Sequence, residues 1–370
     1  MTDGSRNPET LRVLVVSNMY PSDRRMHFGS FVRDSVKAMR AVGADVRVVA
    51  ITDPRSGRAR LLAKYAGLYV RAVMAAARGG YDVVHAHYLV PTGPAGRLCA
   101  VLRRVPLVLF AHGGDVLLAA RGDAVGRSAR RVMRSADVLV APSAYLAEEM
   151  AQVAGGPLHQ TEIVPMGVDP AVFCPGDREE ARAHLGLRPT GPLLLFAGTL
   201  DANKGAGCEE LLEALDAPSL ATAALVVVGQ GPWRPRLEER ARAGSLSGRV
   251  DFRAQVERDE LASLMRAADA VVVPSRRESL GLIALEARAV GTPVVAADVG
   301  GLPEHVESGV SGELYTPGSP ARLRDALERV LSAPEGYALP ALDVRYTLEG
   351  SARTVLEISR AAIDRKGRSR

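Results

Sequence analysis

The feature that most constrains this chain is an alternation that runs twice. Short runs rich in β-branched residues are each followed by a stretch with helical spacing of apolar residues. In the first half the strand-like runs are Arg12–Val16, Val46–Ile51, Asp82–Ala86, Pro106–Ala111, Asp137–Ala141 and Glu162–Val164, with helical patterns between them such as Ser30–Val42, Arg58–Arg78 and Ala144–Val153. The rhythm pauses over residues 169–191, which are rich in Pro, Gly and charge. It then restarts with Pro192–Ala197, Ala223–Val228, Val250–Arg253, Ala270–Val273 and Pro293–Ala297. Repeated strand–helix–strand units imply parallel sheets covered on both faces. The expected fold class is therefore α/β, with two doubly wound, Rossmann-like domains facing each other across a ligand cleft at the carboxyl ends of their strands. The first spans residues 1–175, the second 176–348, and a last helix lies near Glu349–Ile363.

A chain of 370 residues is long enough for two separate cores. No apolar run approaches the ~18 residues of a membrane span. The first ten residues are polar and carry no signal-like apolar segment, which points to a cytoplasmic protein. Cys99, Cys174 and Cys208 are odd in number, fit no ligand spacing, and suit packing in a reducing compartment. Charge is uneven: residues 1–175 hold 22 Lys+Arg against 14 Asp+Glu, and residues 176–370 hold 25 against 28. A basic front half suggests an anionic surface or acceptor on that side.

Chemistry concentrates in the run from Glu278 to Glu286 (Glu-Ser-Leu-Gly-Leu-Ile-Ala-Leu-Glu), which follows the strand-like Ala270–Val273 and opens a helix. Backbone amides at Ser279 to Leu282, including Leu280 and Gly281, would stand at a helix start, where unpaired donors and the macrodipole attract phosphate. Eight residues of helix would span roughly 12 Å, about the length of a sugar diphosphonucleoside and too far for an acid/base dyad. Lys204 lies at another strand–loop–helix junction, where an ammonium could reach phosphate oxygens. Gly229-Gln230-Gly231 follows a strand, but Arg234 occupies the third glycine position of a dinucleotide fingerprint, so a tight turn is the better reading.

In the first half, His85, His87 and His112 fall near strand ends. No acidic or Cys partner stands at metal-ligand spacing, so no metal site is expected. His112 belongs to His-Gly-Gly-Asp (residues 112–115), where two glycines allow close backbone approach to a ligand. Asp115 fits a turn or a substrate contact equally. Gly29, between a charged loop and the helix from Ser30, marks a second candidate phosphate-facing helix start. Arg60, Lys64, Arg71 and Arg78 in helix 58–78 form one basic stripe, and Arg127, Arg130, Arg131 and Arg134 in helix 125–135 form another. Each reads either as a solvated face or as contact with a phosphorylated acceptor or, peripherally, with an anionic membrane surface, which would be the inner face of the plasma membrane. Aromatics are few and not interleaved with the basic residues, so nucleic acid is not an expected partner.

Taken together these motifs resemble the retaining glycosyltransferases of family 4, with a GT-B fold. The matching residues are Tyr20-Pro21-Ser22, Gly29-Ser30-Phe31-Val32, His85-Ala86-His87, His112-Gly113-Gly114-Asp115, residues 136–143, Pro165–Asp169, Lys204-Gly205, Gly229–Pro232, the Glu278/Glu286 pair and Gly300-Gly301-Leu302-Pro303-Glu304. Within that family the front half most resembles enzymes of the teichuronic acid type. The resemblance implies that Glu286 binds the donor ribose, Glu278 the donor sugar, and Lys204 the diphosphate, together with backbone at Leu280, Gly281, Leu282 and Gly29. It places His112 near the anomeric carbon, backbone at Arg253 beside the base, His87 and Asp115 on the acceptor side, and the last helix back on the first domain. Thr199 stands where the family often has a phosphate-binding arginine, leaving Arg24, Arg25 or Arg276 as candidate substitutes. Leu348 stands where a tryptophan is frequent.

The implied activity is transfer of a hexosyl group from a nucleotide diphosphate sugar to an acceptor hydroxyl with retention, without cofactor or metal. The acceptor would be lipid-linked, polysaccharide or a small metabolite such as an aminocyclitol. A nucleotide-sugar epimerase, a phosphorylase and a non-catalytic nucleotide-sugar-binding protein are the rival readings. A hydrolase is disfavoured, because its carboxyls must flank one bond at roughly 5–9.5 Å.

Overall fold

The computed structural model describes residues 10–23, 25, 28–53, 58–188, 190–337 and 339–368. The chain forms two compact units, one of residues 1–167 with 344–370 and one of residues 168–343. These divisions fall a few residues before the 175/176 and 348/349 junctions drawn from sequence.

The first unit is a six-stranded parallel sheet of β1 (Arg12–Ser17), β2 (Asp45–Ala50), β3 (Val83–His87), β4 (Leu107–Phe110), β5 (Val138–Ala141) and β6 (Thr161–Ile163), in the order β2-β1-β3-β4-β5-β6. Its helices are α1 (Ser30–Ala41), α2 (Arg58–Arg78), α3 (Thr92–Arg103), the short α4 (Gly114–Ala119), α5 (Ala124–Ser135) and α6 (Ala144–Ala154). The central strands are apolar on both faces apart from His85 and His87 of β3, and β3, β4 and β5 are wholly buried. That is why they read as continuous runs rather than alternations.

The second unit has β7 (Leu193–Ala197), β8 (Ala224–Val228), β9 (Val250–Arg253), β10 (Ala270–Val273), β11 (Val294–Ala297) and β12 (Gly312–Tyr315), in the order β12-β11-β10-β7-β8-β9. Its helices are α7 (Arg178–His184), α8 (Lys204–Leu215), α9 (Arg234–Ala241), α10 (Arg258–Ala267), α11 (Leu282–Val290) and α12 (Pro320–Ser332). Two elements were not legible in the sequence. The strand β12 begins on a glycine and carries a glutamate, and α7 is a charged turn started by Asp177, whose carboxylate accepts from the Glu180 amide at 2.7 Å.

A final helix, α13 (Leu348–Arg368), packs on the first unit beside α1, burying Ala352, Val355, Leu356 and Ala362 against Val13, Val15 and Val36. Lys366 reaches Asp137 at 2.8 Å, and Ser359 Oγ lies 2.9 Å from His85 Nε2.

Both sheets reverse their strand order once. In the first unit the reversal falls between β1 and β3, and in the second between β7 and β10. At such a switch point the loops leaving the two strands run to opposite faces and open a crevice at their carboxyl ends, where ligands bind in doubly wound folds. Gly29 and His87 stand after or at the ends of those strands in the first unit, and Lys204 and Glu278 follow them in the second.

Candidate functional site

In the second unit the β7–α8 loop and the β10–α11 loop stand side by side, because β7 and β10 pair directly through Leu194–Ala270 and Leu195–Val271. Asp201 shapes the first loop: its Oδ1 accepts from the amides of Asn203 and Lys204, both at 2.9 Å, and so starts α8 at Lys204. Lys204 Nζ then lies 3.2 Å from Glu278 Oε2 of the second loop, and Ser275 Oγ donates to the same oxygen at 3.3 Å. The two residues assigned to phosphate and to sugar are therefore neighbours that pair with each other. Both retain exposure, 27% for the lysine side chain and 16% for the glutamate, so a ligand can reach the pair.

Glu278 is not on the helix. Gly281 takes φ +85°, and α11 covers only Leu282–Val290, with its first bonds running from Ala284 N and Leu285 N to Gly281 O. The 12 Å helical span expected between Glu278 and Glu286 is corrected accordingly: the left-handed turn at Gly281 breaks the helix between them. Of the first helical turn, Leu282 and Ile283 precede these bonds and have no acceptor within the helix, an arrangement that suits an anion. Leu280 points its side chain into the core, while the backbone around it shapes the turn.

Behind this turn sit Gly300 and Gly301. A Cβ on Gly300 would overlap the Glu278 carbonyl, and one on Gly301 would come within 2.6 Å of the Ser279 carbonyl oxygen. Gly301 N donates to Glu278 O at 3.1 Å. The glycine pair is thus a backbone cradle that presents Glu278.

Glu286 is 8% exposed on the inner side of α11, with Arg258 Nη2 at 4.0 Å from its carboxylate; the Arg258 guanidinium also stacks over Phe173 at 5.3 Å. Arg253, at the end of β9, pairs with Asp251 at 2.9 Å and Glu260 at 3.6 Å. Its carbonyl, expected beside a base, already accepts from Arg234 Nη1 at 2.8 Å and from Gly229 N at 3.3 Å. The carbonyl thus closes a strand-end junction. Arg234, read from sequence only as a broken glycine fingerprint, donates as well to Gly229 O and Phe252 O at 2.9 and 3.1 Å, binding the ends of β8 and β9 together. Thr199 is exposed. Of its candidate substitutes, Arg276 is held by buried Glu210 at 3.2 Å, Arg25 forms a small backbone bridge with Ser22, and Arg24 lies outside the described residues.

The first unit gathers aromatic groups at its own switch point. Gly29, at φ +74°, caps α1 with its Cα hydrogens against the backbone of Met19; a Cβ would stand 2.7 Å from the Met19 carbonyl carbon. His112, just past β4, packs at ring-centroid distances of 4.9 Å from Phe31, 4.6 Å from Tyr88 and 5.4 Å from His87. His87 Nδ1 and His112 Nε2 are 3.2 Å apart, so one ring donates to the other. Burial drives His87 down to about 3, and burial and the His87 neighbour hold His112 well below the ordinary histidine value. Both rings are neutral at neutral pH. Asp115 is 1% exposed; its carboxylate accepts from the amides of Leu89 at 2.8 Å, His112 at 3.0 Å and Val116 at 3.1 Å. It pins the turn that carries His112 and is closed to a ligand, which corrects the acceptor-contact reading. His87, likewise buried, meets His112 rather than solvent. Sequence gave no sign of the surrounding aromatic cage.

The two basic stripes also change character. On α5, Arg127, Arg130 and Arg134 donate to backbone carbonyls of Gly122, Ala119 and Ala154. On α2, Lys64 reaches Asp53 O, and Arg71 donates to Ala50 O at 3.0 Å; the Arg60 side chain lies outside the described residues. Among the described residues, no three metal-ligating side chains come together, and no helix is long and apolar enough to cross a membrane.

Two family models match the chain: Glycosyltransferase Family 4 over residues 12–172 and Glycosyl transferases group 1 over residues 177–339. D-inositol 3-phosphate glycosyltransferase 1 of Catenulispora acidiphila is 38% identical over 311 residues, 79% of this chain and 73% of its own length. The D-inositol 3-phosphate glycosyltransferase of Geodermatophilus obscurus is 40% identical over 277 residues, 70% of this chain and 61% of its own length. These names take the place of the teichuronic acid type expected from the front half. Sucrose-phosphate synthase from Thermosynechococcus elongatus has the same fold, with a TM-score of 0.73 at 23% identity over 97% of this chain and 98% of its own. HepE of Anabaena, solved with UDP and glucose, gives 0.73 at 22% identity over 96% and 98%. The chain therefore belongs to the GT-B glycosyltransferases, joining a family 4 module to a group 1 module.

Proposed function

We propose that the protein transfers a hexosyl group from a nucleotide diphosphate sugar to a hydroxyl of a small cyclitol, with retention of anomeric configuration. The observation that carries this reading is the Lys204–Glu278 pair, partly exposed at the second unit's switch point next to the amide-bearing start of α11. An ammonium and a helix start suit a diphosphate, and a carboxylate suits sugar hydroxyls. A donor arriving there exchanges the Lys204–Glu278 contact for two of its own, phosphate on the lysine and a hydroxyl on the glutamate. As the sugar–phosphate bond breaks, Lys204 and the α11 amides stabilise charge growing on the departing diphosphate, the work of an oxyanion site. This assigns no step to a metal. Glu286 takes the ribose hydroxyls.

In the first unit, burial and the His87 neighbour keep His112 neutral among Phe31, Tyr88 and His87. The acceptor proton passes to a leaving phosphate oxygen on the same face. The cyclitol class is supported by the names of the relatives, which are glycosyltransferases of D-inositol 3-phosphate. Incubation with UDP-, ADP- or GDP-hexoses and either an inositol phosphate or an aminocyclitol tests the reading. Acceptor-dependent release of nucleoside diphosphate with an α-linked product from an α-linked donor supports it. Conversion of the donor without acceptor would favour an epimerase instead.

A lipid-linked acceptor at an anionic membrane is a second reading, favoured by one observation. The outward sides of α2 and α3 expose Leu62, Val70, Met74, Val101 and Leu102, with Arg78 and Arg103 beside them and no Asp or Glu in either helix. Exposed apolar side chains on helices that carry cations and no acidic residue complement anionic lipid. Co-sedimentation with phosphatidylglycerol vesicles but not phosphatidylcholine vesicles, abolished by Val70→Glu, would favour it. Equal recovery in the supernatant with both vesicles would remove it.

A further inference from the structure

We infer that Asn203 is a positioning residue that sets the place of Glu278, and through it the recognition of the donor sugar. The inference rests on the donor reading above and concerns the same site. Asn203 stands immediately before α8, where an asparagine would ordinarily cap the helix. Here it does not: its φ and ψ are helical (−80°, −60°), its side chain makes no cap bond, and Asp201 supplies the cap. The carboxamide turns instead to the neighbouring loop. Its Nδ2 donates to Arg277 O at 2.9 Å, and its Oδ1 accepts from Arg277 N at 2.8 Å.

One side chain therefore satisfies both backbone polar groups of Arg277, as a paired strand would. The pairing is specific to a carboxamide. A carboxylate has no donor for Arg277 O, a serine is too short to span both groups, and an apolar side chain leaves both without that partner.

Position gives this pairing its consequence. Arg277 is the residue before Glu278, and Asn203 the residue before Lys204. The carboxamide bond thus joins the two loops at the point where the ammonium and the carboxylate meet at 3.2 Å. Glu278 is restrained as well by the Ser275 hydroxyl at 3.3 Å and by the Gly301 amide on its carbonyl. Lys204 differs, since Asp201 holds its amide directly and α8 carries it. Loss of the Asn203 carboxamide therefore loosens the glutamate loop while the lysine stays placed. Sugar recognition suffers and diphosphate recognition does not.

The test measures affinities for UDP-, ADP- and GDP-glucose and for the three matching diphosphates, on the full chain, by calorimetry or thermal shift. Asn203→Ala is expected to weaken the preferred nucleotide sugar roughly tenfold, the effect of one or two lost hydrogen bonds, and to leave its diphosphate within about twofold. In a Glu278→Ala background the same substitution should change neither affinity, because residues that act through one another are not additive. Asn203→Ser, which adds no charge and is too short to span both Arg277 groups, should reproduce the selective loss if the alanine variant is poorly folded. Equal weakening of sugar and diphosphate, or an undiminished effect without Glu278, would show an ordinary structural role and overturn the inference while leaving the donor reading intact. Failure of the unaltered protein to bind any of the six probes would overturn the donor reading and the inference with it.

Discussion

Replacing Gly300 with alanine tests the cradle behind Glu278 most sharply. Gly300 has φ +60°, a left-handed conformation, and a Cβ there would overlap the carbonyl oxygen of Glu278. The left-handed backbone costs an alanine about 1–2 kcal/mol. Relieving the overlap means moving the turn, and overpacking of this kind costs ~1–3 kcal/mol. The sum, about 2–5 kcal/mol, should lower the thermal midpoint of the second unit by roughly 5–15 °C for a domain of its size. Gly309 is the control: it is also left-handed, at φ +77°, but nothing lies within 4 Å of its would-be Cβ. Gly309→Ala should lose only the backbone share, roughly 2–6 °C. Differential scanning calorimetry of both variants isolates the overlap. Nucleotide-sugar binding should fall for Gly300→Ala and hold for Gly309→Ala. Equal midpoints for the two variants, with equal donor affinity, would refute the claim that the glycine pair shapes the Glu278 turn.

Other consequences follow from the same geometry. Lys204→Ala should lower kcat by about 10²–10³, as loss of one charge-stabilising donor does, and stopped-flow or coupled assays of diphosphate release would reveal an unchanged kcat if the lysine is idle. Arg234→Ala removes donors to three strand-end carbonyls and should cost about 2–4 kcal/mol in urea unfolding; a loss under about 0.5 kcal/mol contradicts the clamp. Burial holds His85 and His87 at about 3, below the unfolded value near 6.5, so the unfolded chain binds more protons between those limits. The stability these histidines contribute is complete above pH 6.5 and is lost as the pH falls towards 3. The thermal midpoint should drop on acidification from pH 7 to 5, and His87→Asn should flatten that slope; a midpoint independent of pH would count against neutral burial.

Much of the architecture was legible because parallel strands buried on both faces leave unmistakable apolar runs, as in Val13–Val16, Leu225–Val228 and Val271–Val273. The short edge strand Gly312–Tyr315 left no such run. The candidate site was legible where backbone geometry demands particular residues: Gly29 and Gly281 stand at left-handed helix starts, and Gly300-Gly301 underlies the Glu278 turn. Side-chain partnership was not. No spacing along the chain could show that Lys204 meets Glu278, that Arg234 ties β8 to β9, or that Asp115 satisfies three amides instead of a substrate. Each depends on which loops the strand order brings together. Three of the four stripe arginines of α5 make the same point, since Arg127, Arg130 and Arg134 turned out to donate to the unit's own carbonyls.

The central claim is that one end of the second unit's sheet grips an activated sugar. A crystal structure with a bound, non-hydrolysable nucleotide diphosphate hexose tests it most directly. Diphosphate oxygens are expected within hydrogen-bonding reach of Lys204 Nζ and the first amides of α11, with the hexose on Glu278 and the ribose on Glu286. A ligand seated elsewhere, with the Lys204–Glu278 contact of 3.2 Å intact, would contradict it.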